Sequence, residues 1–156
     1  MPDLLPLPDA PDFPERFRRL TALEQAQALL QGKRRHERKY PQAAHGGDRR
    51  SASFRARRET GARREYSAPE RTGFTNFAAC LLGCTSRSIQ ISVRIAERIP
   101  AALQAGLAET PIAERKGDLV RIAGMSPDRH RQLLECLKAG ARPATLDALL
   151  DRVRNG

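Results

Sequence analysis

Apolar residues recur along this chain at spacings of three and four, and nowhere alternate long enough to build a strand, so the pattern predicts an all-α protein. The first periodic run is Leu23, Ala26, Leu29 and Leu30. It follows Thr21-Ala22-Leu23-Glu24, a capping box in which the threonine oxygen accepts from the third amide and the glutamate returns to the cap's own amide. A helix is expected from there, weakened at Gly32 and ended by Pro41, with residues 13–40 forming an N-terminal helical segment. The four prolines among residues 1–12 predict a loose tail.

From residue 73 onward the pattern is a succession of short helices divided by turn residues. Thr75 is expected to cap a helix through Leu82, Gly83 to supply a turn, and Thr85 or Ser86 to cap a longer helix that Pro100 stops. A short helix should cover Ala101 to Gly106, and another about Glu114 to Ala123. Ser126-Pro127-Asp128 places a cap, an N1 proline and a first-turn acid before a helix bearing Leu133, Leu134 and Leu137, which stops at Gly140. Thr145 caps a last amphipathic segment, within 141–156, whose apolar side is Leu146, Leu149, Leu150 and Val153.

Composition narrows the picture. Aromatics are 4% of the 156 residues and tryptophan is absent, too little bulky apolar matter for one core spanning the whole length. A small helical domain with a disordered remainder is the expectation. The net charge of +10 favours a polyanionic partner. Its distribution is uneven: residues 33–71 hold thirteen basic and five acidic side chains, and so +8 of that charge. Residues 41–72 read as a flexible basic linker, in which Arg49, Arg50, Arg57 and Arg58 are candidates for phosphate contacts; a solvated tether is the competing reading.

No apolar stretch reaches the ~20 residues needed to cross a bilayer, and the N-terminus lacks the basic and apolar pattern of a secretory signal, so a cytoplasmic protein is expected. The three cysteines, Cys80, Cys84 and Cys136, fit a reducing compartment and read as small packing residues rather than metal ligands. The histidines lack ligand spacing, and His130 reads as a solvated helix residue. No catalytic constellation, metal site or cofactor is expected.

The informative segment is Phe74 to Ile99. A helix-turn-helix needs a small residue on the first helix, a residue that tolerates a sharp turn, and an apolar residue on the second helix facing back into the pair. Ala79, Gly83 and Ile89 have those offsets. The second helix, about residues 86–98, would turn Ile89, Val93 and Ala96 inward and display Thr85, Ser86, Arg87, Ser88, Gln90, Ile91 and Arg94. Arginine and glutamine suit base edges, and hydroxyls suit phosphates. An ordinary αα-hairpin with a solvated arginine face is the competing reading.

This segment resembles the helix-turn-helix core of ParB-family partition proteins, through Phe74, Ala79, Gly83, Ser86-Arg87-Ser88-Ile89-Gln90 and Val93-Arg94-Ile95. Upstream, Leu20 to Ala26 and His45 to Arg50 are similar to a helix and a basic linker of that family. Downstream, Thr110 to Ala113, Lys116 to Ala123 and Ser126-Pro127 are similar to the helices that close its DNA-binding domain. The resemblance spans about residues 20–139 and implies a DNA-binding domain over 73–140, duplex DNA as partner, and a role in plasmid or phage partition. A homodimer and a partition ATPase are open as further partners. Only 19 residues precede Leu20, so the family's N-terminal nucleotide-binding or nuclease-like domain is expected to be lacking, and neither of its activities is carried over. The alternatives are an autonomous transcriptional repressor and a truncated helical protein-interaction module without specific DNA binding.

Overall fold

The computed structural model describes residues 13–41 and 73–155, and among these every regular element is helical. In order they are α1 (Phe13–Arg18), α2 (Ala22–Lys39), α3 (Phe74–Leu82), α4 (Ser86–Arg98), α5 (Ala101–Ala108), a 3₁₀ turn (Pro111–Glu114), α6 (Lys116–Ala123), α7 (Pro127–Lys138) and α8 (Leu146–Asn155). The loose tail and the basic linker, with Arg49, Arg50, Arg57 and Arg58, lie outside the described residues. None of the described helices is long and apolar enough to cross a membrane.

The start signals act largely as the sequence implies. The Thr21 amide donates to the Glu24 carboxylate at 2.9 Å and the Glu24 amide to Thr21 Oγ1 at 3.3 Å, the two reciprocal bonds of a capping box. Ser126 Oγ accepts from the Arg129 amide at 3.3 Å with Pro127 behind it, and Thr145 Oγ1 accepts from the Ala148 amide at 3.2 Å. Other boundaries differ. The segment 13–40 holds two helices, and Gly32 sits buried inside the second without ending it. Thr75 is not a cap: α3 begins at Phe74 because the extended Gly73 takes that position, its carbonyl accepting from Asn76 and Phe77. α5 continues to Ala108, two residues past Gly106. α6 starts at Lys116, since Pro111–Glu114 closes as a separate 3₁₀ turn and Arg115 breaks the helical dihedrals between them.

The chain divides into two compact units. One consists of residues 1–14 and 31–90, and its described part holds the end of α2, α3 and the first turns of α4. The other consists of Glu15–Leu30 and Ile91–Gly156. In the second, a continuous core gathers Leu23, Ile95, Ile99, Leu103, Leu107, Ile112, Leu119, Ile122, Leu133, Leu146 and Leu149, each at most 2% exposed. Burial of each such side chain contributes roughly 1.5–3 kcal/mol, so apolar contact dominates this unit. α5 approaches α7 closely at Gly106, where an added Cβ would meet Leu137 Cδ1 at 3.1 Å.

Buried polar side chains complete that core, Gln104 and His130 among them. Gln104 donates from Nε2 to the carbonyls of Ile99 at 2.7 Å and Ala96 at 3.0 Å, and its Oε1 accepts from Gln27 at 2.8 Å. The last turn of α4 thereby finds a donor that its own helix cannot supply. His130 is likewise buried, contrary to the solvated position expected of it, with Nε2 2.7 Å from the Ile122 carbonyl. The reason is helical phase: residues 130, 133 and 137 share one face, and the charged neighbours Arg129 and Arg131 fall off it. At the surface, Arg121 of α6 donates to Asp147 of α8 at 2.8 Å; that hydrogen bond and the guanidinium charge hold the Asp147 carboxyl below its ordinary range.

Candidate nucleic-acid interface

The candidate site rests on α3, the turn after it and α4. α3 buries Phe74, Ala78, Ala79 and Leu82 along one side. His36, near the end of α2, is also buried, and its ring lies 5.2, 5.8 and 5.7 Å from those of Tyr40, Phe74 and Phe77. α3 is therefore held by an aromatic cluster rather than by the aliphatic contacts typical of the other unit.

At the end of α3, Gly83 adopts φ 64° and ψ 34°, the left-handed conformation. Its amide donates to the Cys80 carbonyl at 3.3 Å and the next amide, of Cys84, to Ala79 at 3.0 Å. Those paired bonds make a Schellman motif, which ends the helix and reverses the chain. An added Cβ on Gly83 would meet nothing within 4 Å, so substitution there acts through backbone strain alone. Gly83→Val is expected to lower the melting temperature more than Gly83→Asn, because asparagine tolerates this conformation and a β-branched side chain does not. Equal melting of the two variants in a calorimeter would show that the turn has moved.

After the turn, Thr85 caps α4, its Oγ1 accepting from the Ser88 amide at 3.2 Å. Ser86 Oγ donates to Asn76 Oδ1 at 2.7 Å, bracing the first residue of α4 against α3. α4 turns Ile89, Val93 and Ala96 inward as its periodicity implies, and buries Ser92, Ile95 and Ile99 as well. Arg87, Gln90 and Arg94 are exposed at spacings of three and four, which aligns them in one stripe. Among the described residues none of these three makes a side-chain hydrogen bond or ion pair.

The chain matches no protein-family model, no curated protein and no solved structure.

Ser86, Ser88 and Ile91, expected on the displayed side, have a different place. Ser86 is half-buried and committed to Asn76, so it acts as a brace. Ile91 is half-buried against the core of the second unit and not on the outward stripe. Ser88 is half-buried too, while Thr85 is exposed but spends its oxygen on the cap. Asn76 and His36 also belong to this region. An amide side chain within a mostly apolar α3 is a usable signal for the first, but nothing local distinguishes the second from the basic residues around it. Cys80 and Cys84 differ from the packing role expected of them, being exposed, whereas Cys136 is half-buried and packs against the core. No group of three or more metal-ligating side chains gathers among the described residues.

Proposed function

We propose that the protein binds duplex DNA, laying the exposed stripe of α4 in a major groove as the helix-turn-helix of ParB-family partition proteins does. The observation that carries this reading is the set Arg87, Gln90 and Arg94: three polar side chains, without hydrogen bond or ion pair among the described residues, on one side of a helix whose other side is buried. Arg87 and Arg94 have the fork geometry that matches guanine O6 and N7, and Gln90 can pair with adenine N6 and N7. Thr85, at the helix start, lies where a hydroxyl or a first-turn amide would hold a phosphate. The role that follows from the resemblance is partition of a plasmid or phage genome, with transcriptional control at the same sites, and association with the nucleoid or plasmid.

Selection of bound duplexes from a random pool, followed by titration of the winning sequence at several salt concentrations, tests the reading. Enrichment of one sequence supports it; absence of any binding at low salt overturns it in favour of a protein-interaction module. The same titration measures the contribution of the basic segment. Each neutralised phosphate steepens the dependence of log affinity on log salt by ~0.9 on duplex DNA. Replacing Arg49, Arg50, Arg57 and Arg58 together by glutamine is expected to make that slope shallower by about 2–4 and to weaken selected and random DNA alike. An unchanged slope would leave the segment as a tether.

A further inference from the structure

Cysteine is among the residues most often buried, yet Cys80 and Cys84 are both exposed, on either side of the turn that follows α3. Cys80 stands on the last turn of α3, away from the buried side carrying Ala78, Ala79 and Leu82. Cys84 follows the left-handed Gly83, and its amide bonds back to the Ala79 carbonyl at 3.0 Å, which keeps it beside that last turn instead of letting the chain run on. The Gly83 amide bonds in the same way to the carbonyl of Cys80 itself, at 3.3 Å. A disulfide needs α-carbons about 4.4–6.8 Å apart, and the two turn bonds fold Cys84 back against the helix end that carries Cys80. The turn therefore holds two solvent-exposed thiols on closely spaced backbone at the end of α3. Neither is engaged in a hydrogen bond among the described residues.

We propose that Cys80 and Cys84 form a redox-modifiable dithiol, oxidised by a hydroperoxide to an intramolecular disulfide across the α3–α4 turn. The thiolate of whichever cysteine reacts first attacks one peroxide oxygen; the O–O bond breaks, the cysteine becomes a sulfenic acid, and the departing hydroxide leaves with the bonding pair. The second thiolate then attacks that sulfur, the S–S bond forms, and a second hydroxide leaves. With the two protons released by the thiols, the peroxide is reduced to two waters (or to water and an alcohol for an organic peroxide), and the two thiols are oxidised to one disulfide. The inference is independent of what α4 binds.

The sequence supplies a direct readout, because trypsin cuts after Arg71 and Arg87 and so releases both cysteines on the single peptide from Thr72 to Arg87, with Cys136 on another. The reduced full-length protein is treated with hydrogen peroxide, its remaining thiols are alkylated, and the digest is weighed. The Thr72–Arg87 peptide is expected to lose the mass of two hydrogen atoms and regain it with a thiol reductant. Free thiols should fall from the three in the chain to one, at Cys136. In Cys80→Ser the loss of two hydrogens should vanish, and Cys84 should stop at a sulfenic acid that a cyclic 1,3-diketone traps. Oxygen adducts on the parent peptide without loss of hydrogen, or a disulfide to Cys136 or to a second chain, would overturn the proposal.

Discussion

Arg87→Ala and Gln90→Ala are each expected to weaken binding to the selected duplex by ~1–3 kcal/mol, roughly 5- to 150-fold, while leaving helicity and melting unchanged. Both side chains are exposed and make no hydrogen bond or ion pair among the described residues, so truncating them removes little packing. The loss should fall mainly on the preferred sequence, because a base-edge contact discriminates between bases and a phosphate contact does not. A matched control is available on the same helix: Ser86→Ala removes the 2.7 Å brace to Asn76 and should weaken every DNA by loosening the start of α4, with little change of sequence preference. Mobility shifts of the three variants on selected and random duplexes separate the roles. Equal losses for Arg87→Ala on both DNAs would reassign that arginine to the phosphate backbone, and no loss on either would remove α4 from the interface.

Leu133→Ala is expected to destabilise the fold by about 2–5 kcal/mol, the cost of deleting buried methyl groups and leaving a cavity that the surroundings close only in part. Leu133 is fully buried in the α7 face of the core, among side chains drawn from α2, α4, α5, α6 and α8. For a domain of this size the change corresponds to a fall in melting temperature of roughly 10 °C or more. Val120→Ala supplies the contrast. Val120 is 44% exposed, and its truncation should stay within about 0.5 kcal/mol. Denaturant titrations that show the midpoint falling at constant slope for Leu133→Ala, and static for Val120→Ala, would confirm the packing. Similar midpoints for both would mean that α7 is not seated on this core.

How far the chain alone specified this protein depends on the range of the interaction involved. The all-helical class, the capping box at Thr21, the cap and proline before α7, the glycine turn at Gly83 and the inward side of α4 all arise from residues within one or two turns of each other. Local hydrogen bonding and periodicity decide such features, and both are written in adjacent residues. The exposed stripe of Arg87, Gln90 and Arg94 was legible for the same reason, since it is the complement of the apolar stripe on a single helix. What required the tertiary structure was each feature whose partner lies far along the chain or whose helical phase is shared with other elements. Gln104 looks like an ordinary polar residue until Gln27, 77 positions away, meets its amide. His36 and His130 sit in basic runs that read as solvated, yet aromatic rings bury the first and the α7 core face buries the second. Ser86 carries a hydroxyl suited to phosphate, and only the approach of Asn76 from α3 commits it to a brace. The exposure of Cys80 and Cys84 was hidden likewise, because cysteine composition favours burial and only the helix phase and the left-handed turn decide which way two particular thiols face.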